Sequence, residues 1–386
     1  MSELKLDFEL TEDQKSILQT VKKICKDIII PRAEEIDKEG KYPWDVKEVF
    51  AREGLLALPI PIEYDGLGAD LLTVCMVLTE IAKADMSCAM ILATNCLAIF
   101  PMFHMANDEQ KKKYFPRIAA GEILGAVAMS EPEAGSDLAN LKARAVKDGD
   151  YYVITGEKRW ITNAGVADFY SFFARTSDEA KKAKGISTFI VEKDQPGFSL
   201  GRKEDKLGAR GSVTGDIVLD GYRCHKSMMM GPEGEGFITA MKSLNMERPV
   251  AASMAMGVAE GAYEYARDYA KQRVQFGRPI ADFQAIQFML ADMKMQIEAS
   301  KLLLYTACIK AWNHTPDATL YSSMCKTFVS DTAMKVTVDA VQILGGYGCT
   351  REYPVERMMR DAKITQIFAG TNQIQRIVIA REILKD

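Results

Sequence analysis

The hydrophobic periodicity of this chain changes twice along its length, and these changes restrict the possible folds more than any other feature. Before Gly121 the apolar residues recur at helical spacing, for example at Ile17, Val21 and Ile24. Between Gly121 and Gly236 the chain has short β-rich runs separated by Gly, Pro, Asp and Asn, which is typical of an antiparallel β domain. After Gly236 long amphipathic segments return. The order of helices, strands and helices predicts a mainly α protein with a central β domain.

The boundaries of these regions follow from the same pattern. A chain of 386 residues is long for one hydrophobic core, and we expect three domains, at 1–122, 123–235 and 236–386. Thr11 and Gln14 form a capping box at the start of the first helix, and Pro31 interrupts the helical pattern. Further helices are predicted over 45–53, 71–84, 108–118, 246–272, 282–313 and 318–344. Strands are predicted over 151–155, 170–174, 187–192 and 216–219, with loops at 177–185 and 194–197.

Composition and charge argue against several classes of protein. The net charge of -4 gives no general attraction to nucleic acid or to an anionic membrane. The segment 1–10 lacks the basic and apolar runs of a secretory signal, and no stretch is expected to reach the roughly 20 apolar residues that a membrane span needs. The 8 Cys residues are scattered without paired spacing, so we expect reduced core thiols in a cytoplasmic protein. The 3 His residues lie far apart, and no metal site is expected.

Two motifs in the central region are candidates for contact with a flavin or a phosphate. In 128–137 (AMSEPEAGSD), Gly135 and Ser136 can form a tight loop whose amides and hydroxyls meet such a group. In 156–163 (GEKRWITN), Trp160 near Thr162 can cover an isoalloxazine ring and hydrogen-bond it. Taken singly, each motif has a more ordinary interpretation, because Gly-Ser-Asp is common in turns and a lone Trp more often belongs to a core.

Two further motifs lie in the C-terminal region. The segment 273–280 (RVQFGRPI) places an Arg and a Gln at the end of a long helix, which suits a pyrophosphate because a guanidinium offers a planar fork of donors. The segment 339–348 (DAVQILGGYG) contains paired glycines that let backbone approach a ligand closely. It is followed by YPVERMMRDAK at 353–363 and by IFAGTNQ at 367–373.

Taken together and in this order, the four motifs resemble those of the acyl-CoA dehydrogenase family over essentially the whole chain. The resemblance implies a helical N-terminal domain, a central antiparallel β domain, a C-terminal four-helix bundle and a homotetramer. It also implies FAD as the cofactor, an acyl-CoA substrate and electron-transferring flavoprotein as the electron acceptor, with no nucleic acid and no membrane insertion. An acyl-CoA oxidase is less favoured, because the chain has only the dehydrogenase-sized core.

The resemblance assigns individual residues to the cofactor and the substrate. Those that would line the flavin are Met129, Ser130, Gly135, Trp160, Ile161 and Thr162. Those that would hold the FAD phosphates and adenosine, across a subunit boundary, are Arg273, Gln275, Phe276, Gln342, Gly345 and Gly346, and further FAD contacts match Gln284, Thr371 and Gln373. Positions near the CoA or acyl group match Ser136, Asn245, Arg248, Ala369 and Gly370. The chain departs from the family at Phe283, where a His usually precedes the Gln.

A second departure concerns the catalytic base. Most of the family carries a catalytic Glu directly before the Gly-Thr of the last motif, where this chain has Ala369. The isovaleryl-CoA and long-chain branches instead carry their Glu before an Arg, as Glu247 precedes Arg248 here, with a small residue at the usual place. This reciprocal change assigns Glu247 as the general base. On the residues alone, Glu247 has a second interpretation, as an ion-pair partner of Arg248 or a cap near Pro249.

The chemistry that the resemblance implies needs one carboxylate and an oxyanion contact. The thioester carbonyl acidifies the α-hydrogen, and donors to its oxygen stabilise the enolate. In the family these donors are a flavin ribityl hydroxyl and the amide of the residue at position 369, which an Ala retains. Glu247 would take the α-proton while a β-hydride leaves toward flavin N5, giving a 2-enoyl-CoA. We expect burial to raise the pKa of Glu247.

The acyl group is less closely defined. The segments 71–81 and 90–98 correspond to helices at the base of the acyl pocket and contain no Arg to bind a second carboxylate. The moved base favours bulk near the α- or β-carbon, as in isovaleryl-CoA or cyclohexanecarboxyl-CoA. The alternatives are a straight-chain short or medium acyl-CoA, a remote (1,4) ring dehydrogenation of an alicyclic enoyl-CoA, and a non-catalytic homologue that binds acyl-CoA and FAD.

Overall fold

The computed structural model describes residues 9–178 and 183–385. The first third of the chain is helical, as the periodicity predicts. Its helices are α1 (Glu12–Ile24), α2 (Ile30–Glu39), α3 (Trp44–Arg52), α4 (Leu71–Ala84), α5 (Met86–Met105) and α6 (Asp108–Ala119). Residues 1–8 of the N-terminal segment, and 179–182 of the loop predicted at 177–185, lie outside the described residues.

The start of α1 confirms the predicted capping box. The Thr11 hydroxyl accepts from the Gln14 amide at 3.2 Å, and the Gln14 side chain accepts from the Thr11 amide at 3.1 Å. After α1 the chain makes one π-helical turn, Cys25–Ile29, and enters α2. Pro31 leaves the helical path intact, because it lies in the first turn of α2, directly after the π-helical turn.

Helix α5 shows that the expected absence of a span-length apolar run was wrong. By length and composition its 20 residues, Met86–Met105, are sufficient to cross a membrane. In the structure, 83% of its most apolar window is buried inside the protein. Helix α5 is therefore enclosed as a core helix of the N-terminal region.

The central region forms one sheet of eight strands. The strands are β1 (Gly125–Ala128), β2 (Arg144–Asp148), β3 (Tyr151–Thr162), β4 (Phe169–Arg175), β5 (Ile186–Glu192), β6 (Phe198–Lys203), β7 (Thr214–His225) and β8 (Met229–Met230). Their order is β6-β7-β3-β2-β4-β5-β8, and β1 pairs with β4. Most neighbours are antiparallel, as predicted, but β1–β4 and β2–β4 are parallel, so the sheet is mixed. Long connections between these strands make the parallel pairs possible.

The C-terminal region is again helical. It contains α7 (Gly236–Gln272), a small hairpin of β9 (Val274–Gln275) and β10 (Arg278–Pro279), α8 (Gln284–Trp312), α9 (Ala318–Leu344), α10 (Val355–Thr365) and α11 (Asn372–Ile383). Helix α7 begins ten residues before the predicted start at 246. Its first turns pack Phe237 and Ala240 against the apolar cluster between α5, α6 and the sheet, and this tertiary contact stabilises them as helix.

The N-terminal helices and the C-terminal bundle share one hydrophobic core, while the sheet has a core of its own. Helices α4 and α7 approach closely at Gly257, where a Cβ atom would lie 2.2 Å from the carbonyl oxygen of Thr79. Arg360 on α10 joins the two helical regions through two hydrogen bonds to Asp37, at 2.9 and 2.7 Å. The N-terminal and C-terminal helices are thereby packed directly against each other.

All 8 cysteines fall within the described residues and are free thiols. Seven are buried, as expected. Cys349 is exposed and departs from the expectation, because it lies in the glycine-rich turn that follows α9 on the surface.

Candidate active site

The loop after β1 is fixed to the sheet by a buried ion pair. Lys158 Nζ lies 2.8 Å from Glu131 Oε1 and donates to the Met129 carbonyl at 3.0 Å. Glu131 also accepts from the amides of Lys142 and Ala143, at 2.6 and 3.0 Å. Burial lowers the pKa of Lys158 to about 8, and the Glu131 charge opposes this change. Sequence reasoning did not single out this pair, although both residues lie inside the two central motifs.

A bulge in β3 exposes Trp160 beside this loop. The β3–β7 register shifts between Lys158 and Ile161, and Trp160 has φ 62°, a left-handed conformation that costs an L-residue on the order of 1 kcal/mol. Its side chain is 57% exposed, with the Arg159 guanidinium 5.2 Å from the ring centroid. The Arg159 amide donates to the Ser130 carbonyl at 2.9 Å. This hydrogen bond brings the two central motifs together. Backbone strain of the kind seen at Trp160 is typical of a functional site.

The third and fourth motifs also meet. The Arg273 guanidinium lies 5.3 Å from the ring centroid of Tyr347, which follows Gly345 and Gly346. Gly345 has φ +61°, and a Cβ atom added at either glycine would meet no atom of the described chain within 4 Å. Phe276 is 93% exposed, also at a left-handed φ of 52°. Within the part of the chain that the structure describes, Phe276 and the two glycines therefore form an open surface beside the half-buried Arg273.

Glu247 lies inside α7 and is 5% exposed. Its carboxylate makes no hydrogen bond or ion pair with any residue that the structure describes. Desolvation raises the pKa of Glu247 to about 8, while the Arg248 charge opposes that rise. The interpretation of Glu247 as an ion-pair partner or helix cap therefore finds no support in its contacts. A buried carboxyl with a raised pKa and without a partner is a candidate for proton exchange.

Pro249 explains how α7 is held at this point. A proline has no N–H to give to the carbonyl four residues earlier, which is that of Asn245. The Ser322 hydroxyl on α9 donates to this carbonyl instead, at 2.8 Å, and the Asn245 amide group donates to the Thr319 hydroxyl at 3.1 Å. Arg248 Nη1 lies 3.4 Å from the Asn245 side-chain oxygen. Helix α9 therefore fixes the turn of α7 that carries Glu247.

Ala369 and Gly370 form a tight turn between α10 and α11. Both have left-handed φ values, 52° and 84°. No hydrogen bond from the Ala369 N–H is found among the described residues. A Cβ atom at Gly370 would lie 2.6 Å from Gln375 Nε2, so only glycine fits there without a shift. The turn therefore presents a backbone donor that the described part of the chain leaves unused.

Three buried side chains that sequence reasoning missed surround this turn. Lys326 Nζ donates to the Gly370 carbonyl and to Asn372 Oδ1, both at 2.8 Å. Gln375 Nε2 donates to the carbonyls of Ala369 and Gly370, at 3.0 and 3.3 Å. Asn372 and Gln375 were within reach of sequence analysis, since both directly follow the last motif. No local signal distinguishes Lys326 from the many solvated lysines of a helix.

Helix α9 brings the Glu247 segment and the Ala369 turn together. Lys326 lies four residues after Ser322, so both occupy the same face of α9, and both are buried. Ser322 contacts the α7 backbone, and Lys326 contacts Gly370. The Arg248 charge also lowers the pKa of Lys326, which places the two cations within electrostatic reach. The proposed base and the free backbone donor therefore border one region.

The remaining residues assigned from the sequence differ in exposure. Met129 and Ile161 are buried, Ser130, Thr162, Arg273 and Thr371 are half-buried, and those on the surface are Gly135, Ser136, Gln275, Gln284, Gln342 and Gln373. Thr371 caps α11, since its hydroxyl accepts from the Ile374 amide at 3.3 Å. Within the described chain, no hydrogen bond, ion pair or ring contact joins the Arg273 surface to the Glu247 region. The contribution of that surface across a subunit boundary stays a prediction.

Two cavities lie elsewhere in the molecule. One of about 510 Å³ is bordered by Cys25, Glu80, Gly261 and Arg357. Gly261 is 14 residues along α7 from Glu247, which is roughly 21 Å at 1.5 Å per residue. The other, of about 390 Å³, is bordered by Gln373 and by Asp331, Lys363, Gln366, Ile367, Asn372 and Arg376. Neither cavity includes Glu247.

Models of three protein-family domains match the chain in order. They are the acyl-CoA dehydrogenase N-terminal domain at residues 11–122, the middle domain at 126–222 and the C-terminal domain at 234–384. Two relatives from Syntrophus aciditrophicus are named cyclohex-1-ene-1-carbonyl-CoA dehydrogenase and cyclohexane-1-carbonyl-CoA dehydrogenase. The first is 44% identical (97% of this chain, 91% of the relative) and the second 41% identical (97% of each).

Solved structures agree. A chain from a structure of the electron transferring flavoprotein of Acidaminococcus fermentans superimposes with a TM-score of 0.96 at 42% identity, covering 99% of this chain and 100% of that one. Butyryl-CoA dehydrogenase from Megasphaera elsdenii superimposes with a TM-score of 0.95 at 39% identity, covering 98% and 100%. The predicted family and fold class are thus confirmed: the chain belongs to the acyl-CoA dehydrogenase family, whose members are flavin-dependent oxidoreductases that act on acyl-CoA.

Proposed function

We propose that this acyl-CoA dehydrogenase uses Glu247 as its general base and FAD as its cofactor, converting a branched or alicyclic acyl-CoA to the 2-enoyl-CoA. One observation carries the proposal: α9 bonds both to the turn of α7 that carries Glu247, a buried carboxyl without a hydrogen-bond partner in the described chain, and to the turn that carries the Ala369 N–H. A second acid at position 369 is excluded by the Ala side chain.

The residues assigned to FAD suit such a group. Trp160 and Phe276 are large aromatic side chains held on strained backbone and exposed, and Gly345 and Gly346 leave open space where a Cβ atom would project. Ser130 and Thr162 offer hydroxyls beside Trp160, and Arg273 offers a guanidinium suited to a pyrophosphate. When bound, FAD would supply the hydride acceptor that the reaction requires. No other group within the described chain offers that chemistry.

The charge on Glu247 changes with the reaction. The free acid, with a pKa of about 8, is mostly protonated at neutral pH. The ionised carboxylate is a strong base in this environment, because it is largely removed from solvent and accepts no hydrogen bond within the described chain. Taking the α-proton of the substrate removes a charge that the buried site accommodates poorly. The pKa of a catalytic base near the working pH is the favourable arrangement for proton transfer.

The negative charge then develops on the thioester oxygen. The Ala369 N–H is a donor held in a fixed turn, and such donors typically contribute about 10²–10³-fold to a rate of this kind. Since the donor is backbone, an Ala supplies it as well as a Glu would. The side chain lost from position 369 is thus replaced by Glu247, while the backbone function of position 369 is retained.

The acyl group would lie against α5. Ile91, Thr94, Asn95 and Ala98 are buried there, and Met90 and Leu97 are half-buried. Asn95 Nδ2 is buried without a partner in the described chain, whereas its oxygen accepts from the Gly125 amide at 3.1 Å. This lining is apolar with one amide donor and carries no cation for a second carboxylate. A compact branched or alicyclic group fits its chemistry, as the name of the cyclohexane-1-carbonyl-CoA relative also suggests.

A second candidate reaction is a remote (1,4) ring dehydrogenation. It is favoured by the 44% identical relative named cyclohex-1-ene-1-carbonyl-CoA dehydrogenase. Such a substrate already carries the 1,2 double bond, so the proton would leave from a different carbon. Glu247 would then lie next to the α-carbon and not next to the carbon that loses the proton, so its loss would have a smaller effect on turnover.

Electron-transferring flavoprotein is the acceptor that we propose for the reduced cofactor, and the structural neighbour from Acidaminococcus fermentans supports this assignment. We also propose a homotetramer. The support is the surface formed by Arg273, Gln275 and Phe276, where Phe276 is 93% exposed and Gln275 is exposed in the described part of one chain.

The test is a panel of acyl-CoA esters mixed anaerobically with the FAD-loaded enzyme and scored by loss of flavin absorbance. Isovaleryl-CoA and cyclohexane-1-carbonyl-CoA should reduce the flavin faster than butyryl-CoA or octanoyl-CoA. The Glu247→Gln variant should bind FAD but fail to bleach with any of them. The matched control is Glu260→Gln, on the same helix about 20 Å away, where Glu260 pairs with Lys301 at 2.8 Å. Rapid bleaching by cyclohex-1-ene-1-carbonyl-CoA that survives Glu247→Gln would favour the remote reaction instead.

A further inference from the structure

The turn that carries the Ala369 N–H is a strained arrangement. Ala369 has φ 52°, which costs an L-residue on the order of 1–2 kcal/mol, and it is followed by Gly370 at φ 84°. Strained backbone of this kind persists only where its surroundings hold it in place. The contacts of its two carbonyls hold this turn.

Three hydrogen bonds reach the carbonyls of the turn, and all come from buried side chains. Lys326 Nζ donates to Gly370 O at 2.8 Å, and Gln375 Nε2 donates to Ala369 O at 3.0 Å and to Gly370 O at 3.3 Å. Lys326 also donates to Asn372 Oδ1 at 2.8 Å, so it spans the turn and the first residue of α11. Lys326 is the only one of these donors that belongs to α9, which also contacts Asn245 on α7.

Burying the Lys326 side chain at this position costs free energy. It is fully buried, and within the described chain it has no carboxylate within ion-pair distance. Desolvation lowers the pKa of Lys326 to about 7, and the distant Asp331 charge only partly opposes this effect. A shorter or apolar side chain would avoid that cost but would leave the Gly370 carbonyl with the longer hydrogen bond from Gln375 Nε2, at 3.3 Å. A buried ammonium retained at such a cost is expected where its hydrogen bonds have a purpose.

We propose that Lys326 is a positioning residue for the dehydrogenation. By donating from α9 to the Gly370 carbonyl, it holds the Ala369 N–H within hydrogen-bond distance of the position that the thioester oxygen of the substrate must occupy. This inference rests on the proposed function. Lys326 does not touch the reacting atoms, and it acts through the turn. Because α9 also bonds to the α7 backbone at Asn245, the same helix sets the distance between the base and the backbone donor.

Enolisation can be measured apart from oxidation. In (methylthio)acetyl-CoA a sulfur replaces the β-carbon, so the compound has an acidic α-proton but no β-hydride to lose. The FAD-loaded enzyme in D₂O should remove that α-proton and return a deuteron, which mass spectrometry detects. No electron acceptor is needed, since one C–H bond breaks and one C–D bond forms.

The Lys326→Met variant should exchange the α-proton about 10–100-fold more slowly than the wild type, because a displacement of about 1 Å at a reacting centre costs on that order. The pH midpoint of the exchange should stay unchanged, since Glu247 is intact. The Kd for (methylthio)acetyl-CoA and the FAD content should change by less than about threefold. This combination separates positioning of the donor from loss of the base and from general damage.

Lys310→Met is the matched control, since Lys310 lies on the neighbouring helix α8 and pairs with Asp317 at 2.6 Å. It should exchange at the wild-type rate. Should Lys326→Met fail to fold, Gln375→Met removes the other donor to the turn and should slow exchange in the same way. Unchanged exchange in Lys326→Met, or in Gln375→Met where the first variant does not fold, overturns the inference alone. No exchange by the wild type overturns the proposed function and the inference together, whereas exchange retained by Glu247→Gln overturns only the assignment of the base.

Discussion

Replacing Glu247 by Gln should make the protein more stable while it removes turnover. The carboxyl is 5% exposed and unpaired, and its pKa in the folded protein is about 8 against 4.5 in water. A carboxyl with a raised pKa contributes its full stability below pH 4.5, where both states are protonated. That contribution is lost as the pH rises through the window from 4.5 to 8, since the unfolded chain ionises and the folded protein does not.

The size of the stability difference follows from the change in the pKa of Glu247 on folding. At about 1.4 kcal/mol for each pKa unit, moving a carboxyl from 4.5 to about 8 corresponds to roughly 5 kcal/mol above pH 8 and to about 3 kcal/mol at pH 7. Gln has nearly the same shape and no charge to lose. The Glu247→Gln variant should therefore equal the wild type at pH 4.5 and exceed its free energy of unfolding by these amounts at higher pH. Arg248 is little affected at pH 7, because Glu247 is already mostly neutral there.

The assay is denaturant unfolding of the two FAD-loaded proteins between pH 5 and pH 9, at equal protein and FAD concentrations, because bound ligand adds to apparent stability. The same samples are tested for turnover. Loss of a general base typically costs about 10²–10⁴-fold in rate, so kcat should fall at least 100-fold. In the wild type, kcat/KM should rise with pH toward a plateau, with a midpoint near 8 for the free enzyme.

Two results would refute this reasoning. A stability difference that does not grow between pH 5 and pH 9 would mean that water or another group solvates Glu247 in the folded protein. A turnover that falls less than tenfold would mean that another residue takes the proton. The Glu260→Gln control should lose stability by breaking its ion pair with Lys301, and keep its turnover.

Two further changes test the surroundings of the site. Lys158→Met leaves the buried Glu131 charge without its cation, and it should cost about 3–5 kcal/mol of stability and cause loss of bound FAD. Adding Glu131→Gln to this variant should restore part of the stability and part of the FAD binding. Unchanged flavin content in the purified single variant would contradict this prediction. Gly370→Ala places a Cβ atom 2.6 Å from Gln375 Nε2 at a φ of 84° and should lower kcat at least tenfold. The control, Gly149→Ala, has a φ of +59° in open space, and it should cost about 1 kcal/mol of stability and leave kcat unchanged. Equal kcat for the two alanine variants would show that the turn has no role in turnover.

Much of the fold could be predicted because its main signals are local. The capping box at Thr11 and Gln14 forms as expected, since both groups lie within one turn. The long periodic segments of α8 and α9 begin and end within about two residues of the predicted positions. The start of α7 was missed because 236–245 has no clear helical stripe, and contacts of Phe237 with a separate cluster decide its conformation. The parallel pairing of β1 with β4 depends on chain crossing, which periodicity does not encode.

The residues of the site also differ in whether the sequence alone can predict them. Glu247 and Ala369 are visible in the sequence because each departs from an expected pattern at a known motif. Lys326 is invisible there, because its role depends on a contact with Gly370, which is 44 residues away along the chain. The Glu131–Lys158 pair is similar, with partners 27 residues apart on a loop and a strand. Residues that bind a ligand leave a local signature, whereas those that hold the binding residues in place are defined by the fold.

The proposed mechanism gives Arg248 a role that its own contacts do not explain. It is buried, its Nε has no partner within the described chain, and burial lowers its pKa to about 10. Before the reaction the negative charge stands on Glu247, and after proton transfer it stands on the thioester oxygen. The Arg248 cation lies next to Glu247 in the chain and within electrostatic reach of Lys326, which holds the Ala369 turn. In the proposed mechanism the Arg248 charge would therefore favour the ionised form of Glu247, whose pKa it lowers against the effect of burial. Since the site keeps the same net charge throughout, the proton can move without the reorganisation that creating a new buried charge would require.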